Sequence, residues 1–261
     1  MPVTDAAADR ALLEDAARAA GEIARRYFRA RPEIWEKDDG QGPVTEADLE
    51  IDAMLRAMLT AARPDYGWLS EESPDDSDRL TRGRVFIVDP IDGTRAFIKG
   101  ESDFSHALAV VENGAPLAAA IHLPIKDRMY TAAQGQGASR DGTVIAPSGR
   151  GDWDGARVLG AKSNFKPERW AQGRPPVAPA FVPSLAYRLA LVAEGRFDAM
   201  VTLRASWEWD IAAGALIVTE AGGTAQDQRG RPLRFNNPHP QVDGVVAGTR
   251  AVQAALVAGL A

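Results

Sequence analysis

The sequence of 261 residues contains no cysteine. That absence excludes disulfides, thiolate metal sites and thiol nucleophiles, and it is compatible with a reducing cytoplasm, the compartment expected for the chain. Histidine is scarce: His106, His122 and His239 stand far apart without zinc-type spacing. Each reads as a packed or surface residue rather than a ligand. No apolar run approaches a membrane span, and the opening Met-Pro-Val-Thr-Asp-Ala lacks the basic stretch and apolar core of a secretory signal. Basic residues are outnumbered, with a formal charge of −6, so no basic stripe is present for a nucleic-acid polymer. A small anionic ligand stays open, because a bound cation reverses the local sign.

What is present is an ordinary globular composition, 45% hydrophobic and 25% charged. The length allows one large domain or two fused halves. The chain is organised around residues 84–100. There a β-branched run, Val85-Phe-Ile-Val88, leads into Asp89, Asp92, Gly93 and Thr94. The run predicts a buried strand ending at the aspartates, at the kind of edge where open α/β sheets place their ligands.

Around it, residues 5–30 predict an amphipathic helix and residues 32–42 a polar loop carrying Lys37. Thr45-x-x-Asp48 opens a second helix as a capping-box variant. A brief apolar piece ends in Glu71-Glu72. After residue 100, apolar runs at 106–111, 117–123 and 128–133 predict an antiparallel meander, its first turn marked by Asn113-Gly114. Residues 146–183 are rich in Pro, Gly and charge, with 158–161 the one strand-like patch. They mark the expected boundary between a half carrying the metal-binding motifs (1–145) and a smaller half completing the site (146–261). Residues 184–194 predict a helix and 197–203 a strand. Asp210 then opens a small-residue helix closed by Gly222-Gly223, 224–238 is turn-rich, 245–247 is a short buried strand, and 251–261 is a closing helix.

Glu71, Asp89, Asp92 and Asp210 form an all-oxygen set, which selects Mg²⁺, Mn²⁺ or Ca²⁺ over zinc. Two ions sharing Asp89, with Asp92 on one of them, would activate a water and stabilise a leaving alkoxide on phosphorus. Thr94 would orient that water, and the Gly93 and Thr94 amides would hold phosphate oxygens. Other phosphate chemistries lack their signatures. Gly-x-x-x-x-Gly-Lys-Ser/Thr and Gly-x-Ser-x-Gly do not occur. Pro90 stands two residues before Asp92, where a haloacid-dehalogenase-type phosphatase needs its nucleophilic aspartate. A covalent intermediate is therefore disfavoured against direct attack by water.

Asp89-Pro-Ile-Asp-Gly-Thr94, Glu71-Glu72-Ser73 and Trp209-Asp210-Ile-Ala-Ala-Gly214 resemble, in order, the three signature motifs of the inositol monophosphatase superfamily. The resemblance implies an α-β-α-β-α sandwich, usually dimeric, and a Mg²⁺-dependent, lithium-sensitive phosphomonoesterase using two or three ions, with Mn²⁺ as an alternative. It places Glu71, Asp89 and the Ile91 carbonyl on the first metal and Asp89, Asp92 and Asp210 on the second. It gives Glu71, Thr94 and Asp48 the task of holding and deprotonating the water, alongside the capping role of Asp48, and makes Lys37 a phosphate partner in a mobile segment. Arg95-Ala-Phe-Ile-Lys-Gly100 and Leu191-Val-Ala-Glu-Gly195 are similar to 3′(2′),5′-bisphosphate nucleotidases, and Arg188 falls where those enzymes place a substrate-side lysine. Pro183-Ser184 departs from their Gly-Ser-Ser. The leading expected substrate is thus a bisphosphate nucleotide such as 3′-phosphoadenosine 5′-phosphate. Inositol 1-phosphate follows narrowly, then histidinol phosphate and sugar phosphates. A non-catalytic member that binds an anion or a protein partner is the alternative of another class.

Overall fold

A computed structural model describes residues 3–30, 32–37 and 42–261. The chain begins with helix α1 (Val3–Tyr27), then a two-stranded hairpin of β1 (Ile34–Glu36) and β2 (Pro43–Thr45), then helix α2 (Glu46–Ala62). A seven-stranded sheet follows in strand order, from β3 (Gly67–Ser70) and β4 (Arg84–Asp92) through β5 (Ser105–Glu112), β6 (Ala115–Leu123), β7 (Arg128–Ala133), β8 (Ala138–Arg140) and β9 (Thr143–Val144). Short helix α3 (Thr94–Ile98) interrupts it after β4. Only β3 and β4 run parallel; the rest is the expected meander. Asn113 and Gly114 both take positive φ, 51° and 80°, as a tight hairpin turn of matching twist requires.

A second sheet orders β11-β10-β12-β14-β13, from β10 (Arg157–Leu159), β11 (Ala178–Ala180), β12 (Ala199–Trp207), β13 (Thr224–Gln226) and β14 (Gln241–Gly248). Helices α4 (Leu185–Ala193) and α5 (Ala212–Glu220) lie between the two sheets, and α6 (Arg250–Gly259) covers the outer face of the second. The layers are therefore α1/α2, sheet, α4/α5, sheet, α6: the five-layer sandwich.

Period-two alternation assigns the strands to their layers. Phe86, Val88, Leu108 and Val110 pack toward α1 and α2, whereas Val85, Ile87, Ala107 and Ala109 pack toward α4 and α5. With both faces covered, these strands read as near-continuous apolar runs. In the middle layer a Cβ on Gly214 would lie 2.4 Å from Leu189 Cδ1. The bare backbone there lets α5 approach α4.

Three expectations need correction, on β1, β11 and the lengths of β12 and β14. The strand through Val85–Val88 does end at the aspartates, and a bulge between Asp89 and Asp92 absorbs one extra residue against β5. The buried His106 braces that bulge through Nδ1 to the Pro90 carbonyl, 2.5 Å away. The loop holding Lys37 contains β1, whose three residues are all exposed and so carry no burial period. Residues 146–183 hold a second strand, β11, an edge strand with Pro179 at its centre, where proline is tolerated. β12 and β14 both run longer than their apolar cores, because their ends carry polar residues. His106 and His122, remote in sequence, face each other on β5 and β6 with ring centroids 5.9 Å apart, both buried as packing residues.

Candidate active site

The bulge in β4 sets the site. Asp89 continues the alternation of Val85 and Ile87 toward α4 and α5, and the extra residue brings Asp92, paired with Ser105, to the same face. The strand ends at Gly93, whose φ of +101° favours glycine, and a Cβ there would also crowd Asp103 O and Phe104 Cα. Glu71 sits one residue beyond β3, beside the parallel β4, with its amide on Val88 O. Its turn is pinned from α2: Asp52 accepts hydrogen bonds from Ser70 and Ser73, both at 2.5 Å. Asp210 arrives from the opposite side, just before α5.

One oxygen from each of Glu71, Asp89 and Asp210 lies within 4.8 Å of the others. Asp89 is the anomaly among them. It is 1% exposed, and neither carboxylate oxygen meets a donor. Asp210 beside it is a second acceptor, and a hydrogen bond between the two exists only while they share a proton. Burial, then the charges of Glu71, Asp92, Asp210 and Glu72, raises Asp89 well above the ordinary carboxylate range, and burial with Asp92 and Glu71 does the same to Asp210. An orphaned buried carboxylate between two others fits a hard divalent cation, for which oxygen donors are the natural set.

Asp92 lies outside that group of three. Its Oδ2 accepts from Ser184 Oγ at 2.5 Å and the Ala186 amide at 2.6 Å, and its Oδ1 from the Leu185 amide at 3.1 Å. It thus braces the start of α4, and Ser184 caps that helix through the Tyr187 amide. Burial raises Asp92 to about 6 against the pull of these bonds.

Asp48 and Thr94 are brought together. Asp48 is fully buried and completes the capping box, with Oδ2 accepting from the Thr45 amide and hydroxyl. Its Oδ1 lies 3.4 Å from Thr94 Oγ1, which also reaches the Ile91 carbonyl at 3.0 Å. Burial pushes Asp48 up to about 6, moderated by the Thr45 bonds.

Lys37 Nζ donates to both Glu71 and Glu72, each at 2.7 Å. Burial works against its charge, but the two glutamates prevail and hold its pKa above the ordinary value. Residues 38–41 of the same loop lie outside the described residues. Glu72, given no role from sequence, is raised to about 8 by burial and by Glu71. Only its adjacency to Glu71 could have pointed to it.

Glu71, Asp89, Ile91, Asp92, Gly93, Thr94 and Asp210 line a cavity of about 1030 Å³. Arg188 lines it too. It is 7% exposed rather than solvated, with Nε on Val182 O at 2.6 Å and Nη2 on Pro183 O at 3.4 Å. Phe181 and Trp207, also on the wall, were not singled out, since nothing in their local spacing sets them apart, and Trp209 entered only as the first residue of the motif around Asp210.

A five-layer sandwich with an acid cluster where β3, β4 and the start of α5 converge defines a class, and comparison with known proteins names it. The inositol monophosphatase family model matches residues 5–260. The chain belongs to that family. It is 31% identical over 209 residues to an inositol-1-monophosphatase of Bacillus subtilis, covering 77% of this chain and 78% of the relative. It is 32% identical over 242 residues to a 3′-phosphoadenosine 5′-phosphate phosphatase of Mycobacterium leprae, covering 91% and 88%. Among solved structures, the Thermotoga maritima IMPase superposes with a TM-score of 0.81 at 28% identity, covering 94% of this chain and 93% of that one. Among the described residues, no helix is long and apolar enough to cross a membrane.

Proposed function

We propose that this chain is a Mg²⁺-dependent phosphomonoesterase that hydrolyses a small phosphate monoester in the cytoplasm, as a homodimer, without nucleic-acid polymer or membrane partners. The observation that carries the reading is Asp89, a buried carboxylate without a donor, held against Glu71 and Asp210. Glu71, Asp89 and Asp210 would hold the cation, with Asp92 beside them through the remaining lone pairs of Oδ1, and with Mn²⁺ as an alternative ion. Bound there, the cation supplies Lewis-acid polarisation of the phosphoryl oxygens and lowers the pKa of water.

The rest is the work of the chain. Thr94 Oγ1 can accept a hydrogen bond from the attacking water while donating to Asp48 Oδ1. Asp48, ionised above about pH 6, takes the proton through that hydroxyl. The Gly93 and Thr94 amides stand at the start of α3, among those that a helix start leaves without intrahelical partners, and favour phosphate oxygens.

Two relatives with different substrates stand at nearly equal identity, so the cavity wall weighs more. Arg95, Lys99, Arg169 and Arg204 line it, and none is paired with a carboxylate among the described residues. The acids of the same wall are offset once a cation is bound among them, and these basic groups then favour a substrate with a second anionic group, such as a 3′(2′),5′-bisphosphate nucleotide, over inositol 1-phosphate. Phosphate release from 3′-phosphoadenosine 5′-phosphate, inositol 1-phosphate and histidinol phosphate, each with Mg²⁺ and with chelator, tests both levels. Turnover that survives the chelator sinks the metal dependence, and no turnover of any of the three with Mg²⁺ sinks the enzyme reading; a preference for inositol 1-phosphate sinks the nucleotide.

A further inference from the structure

We propose that Phe181 is a stacking platform for a planar ring on the leaving group, and that Arg188 is the residue that positions it. The proposal rests on the phosphatase reading of the same cavity and assigns a further part of its wall.

Phe181 directly follows β11, lines the cavity, and is 60% exposed. A large apolar ring left this open at a ligand-sized cavity wall points to a ligand that covers it. The ring is not loose. The Arg188 guanidinium lies over it, with Cζ 4.6 Å from the ring centroid, close enough for a cation–π contact. Arg188 is itself fixed, because Nε and Nη2 donate to the carbonyls of Val182 and Pro183, the two residues after Phe181. One buried arginine therefore holds both the ring and the backbone that carries it. Two of its five N–H donors are held by the chain, which makes Arg188 a support for Phe181 and leaves Nη1 free for the substrate contact expected from sequence.

The surroundings agree with a flat, anionic leaving group. Trp207 and Trp209 stack with centroids 4.8 Å apart and an interplanar angle of 8°, and both line the same cavity. Arg169 and Arg204 line this cavity as well. A heteroaromatic ring bearing an anionic group meets both features, and its flat face covers Phe181 more fully than the C–H edge of a polyol.

The test compares kcat/KM for adenosine 3′-monophosphate with that for glycerol 2-phosphate, in the metal-loaded full-length protein. The aromatic-to-aliphatic ratio should fall about tenfold in Phe181→Ala, as loss of one base–aromatic stack implies, and should be retained in Phe181→Tyr. Arg188→Lys should lower the same ratio through KM, with kcat held, and should add nothing in the Phe181→Ala background. Equal loss on both substrates, or no change in the ratio, overturns the platform. Calorimetric titration with adenosine 5′-monophosphate reads the platform without turnover. If no monoester is hydrolysed but Phe181→Ala still weakens this binding about tenfold, the phosphatase reading fails and the platform stands. Equal binding by wild type and Phe181→Ala overturns the platform. An unchanged ratio together with dissociation of a dimer in Phe181→Ala also overturns it, and assigns the ring to a contact between copies.

Discussion

Replacing Asp89 by asparagine exchanges a carboxylate for an amide of the same shape, and the structure gives the expected result a sign. In the metal-free protein the wild-type oxygens are buried without a donor and face the carboxylates of Glu71 and Asp210. A buried polar group left unsatisfied costs about 1–3 kcal/mol, and the asparagine amide offers N–H donors that those neighbours can accept. In chelator at about pH 8, Asp89→Asn should therefore be more stable than wild type by about 1–3 kcal/mol. At roughly 2–4 °C per kcal/mol for a chain of about this size, the melting temperature rises by about 2–12 °C. The pH dependence follows from the raised pKa of Asp89. The folded state keeps a proton that the unfolded chain releases, so wild-type stability is fullest below the ordinary carboxylate value and falls as pH climbs toward the folded value. The advantage of Asp89→Asn should grow with pH across that window and shrink in acid. Saturating Mg²⁺ should invert the order, because a ligand at about 1,000 times its Kd adds about 4.1 kcal/mol to the wild type and little to the variant, which also loses turnover. Scanning fluorimetry in chelator and in Mg²⁺, over a pH series, reads every part. A variant less stable than wild type in chelator at high pH, or one raised by Mg²⁺ as much as wild type, refutes the reasoning.

Turnover should decline below about pH 6 as Asp48 takes a proton, with the limb moved lower once a bound cation favours the ionised form. Asp48→Asn should remove that limb and lower kcat by about 10²–10⁴; a variant that keeps the wild-type profile rules Asp48 out as the proton acceptor. Lys37→Met should tighten Mg²⁺ or Mn²⁺ binding by about tenfold in calorimetry, because it frees Glu71 from a charge-assisted bond worth about 1.5–3 kcal/mol; weaker binding would mean that Lys37 assembles the site instead. Gly214→Ala should destabilise the protein by about 1–3 kcal/mol in urea, through overpacking against Leu189; an unchanged midpoint would show that α4 and α5 can part freely.

Much of the fold was legible because the strands of the first sheet are buried on both faces and the turns between them carry their own chemistry, as at Asn113-Gly114. The short strands β1 and β11 were not, since one is wholly exposed and the other centres on proline. Within the site, the company of Glu71, Asp89 and Asp210 followed from a motif resemblance, not from spacing alone. The bracing of α4 by Asp92, the hold of Lys37 on Glu72 and the burial of Arg188 were out of reach. Each depends on segments remote in sequence meeting at one point, such as Asp92 with Ser184, and local pattern carries no record of that. Asp48 shows the reverse: its capping box was readable from Thr45-x-x-Asp48 alone, whereas its contact with Thr94 needed the fold.

The three clustered carboxylates enter from the turn after β3, the bulge of β4 and the approach to α5, Asp89 following Glu71 by 18 positions and Asp210 following Asp89 by 121. No contiguous fragment smaller than most of the molecule contains them all. A cation with these ligands could not template early folding the way a local loop site does. It would be a late arrival that recognises only the finished sandwich, so its occupancy would report on whether the first sheet and the middle helices have docked.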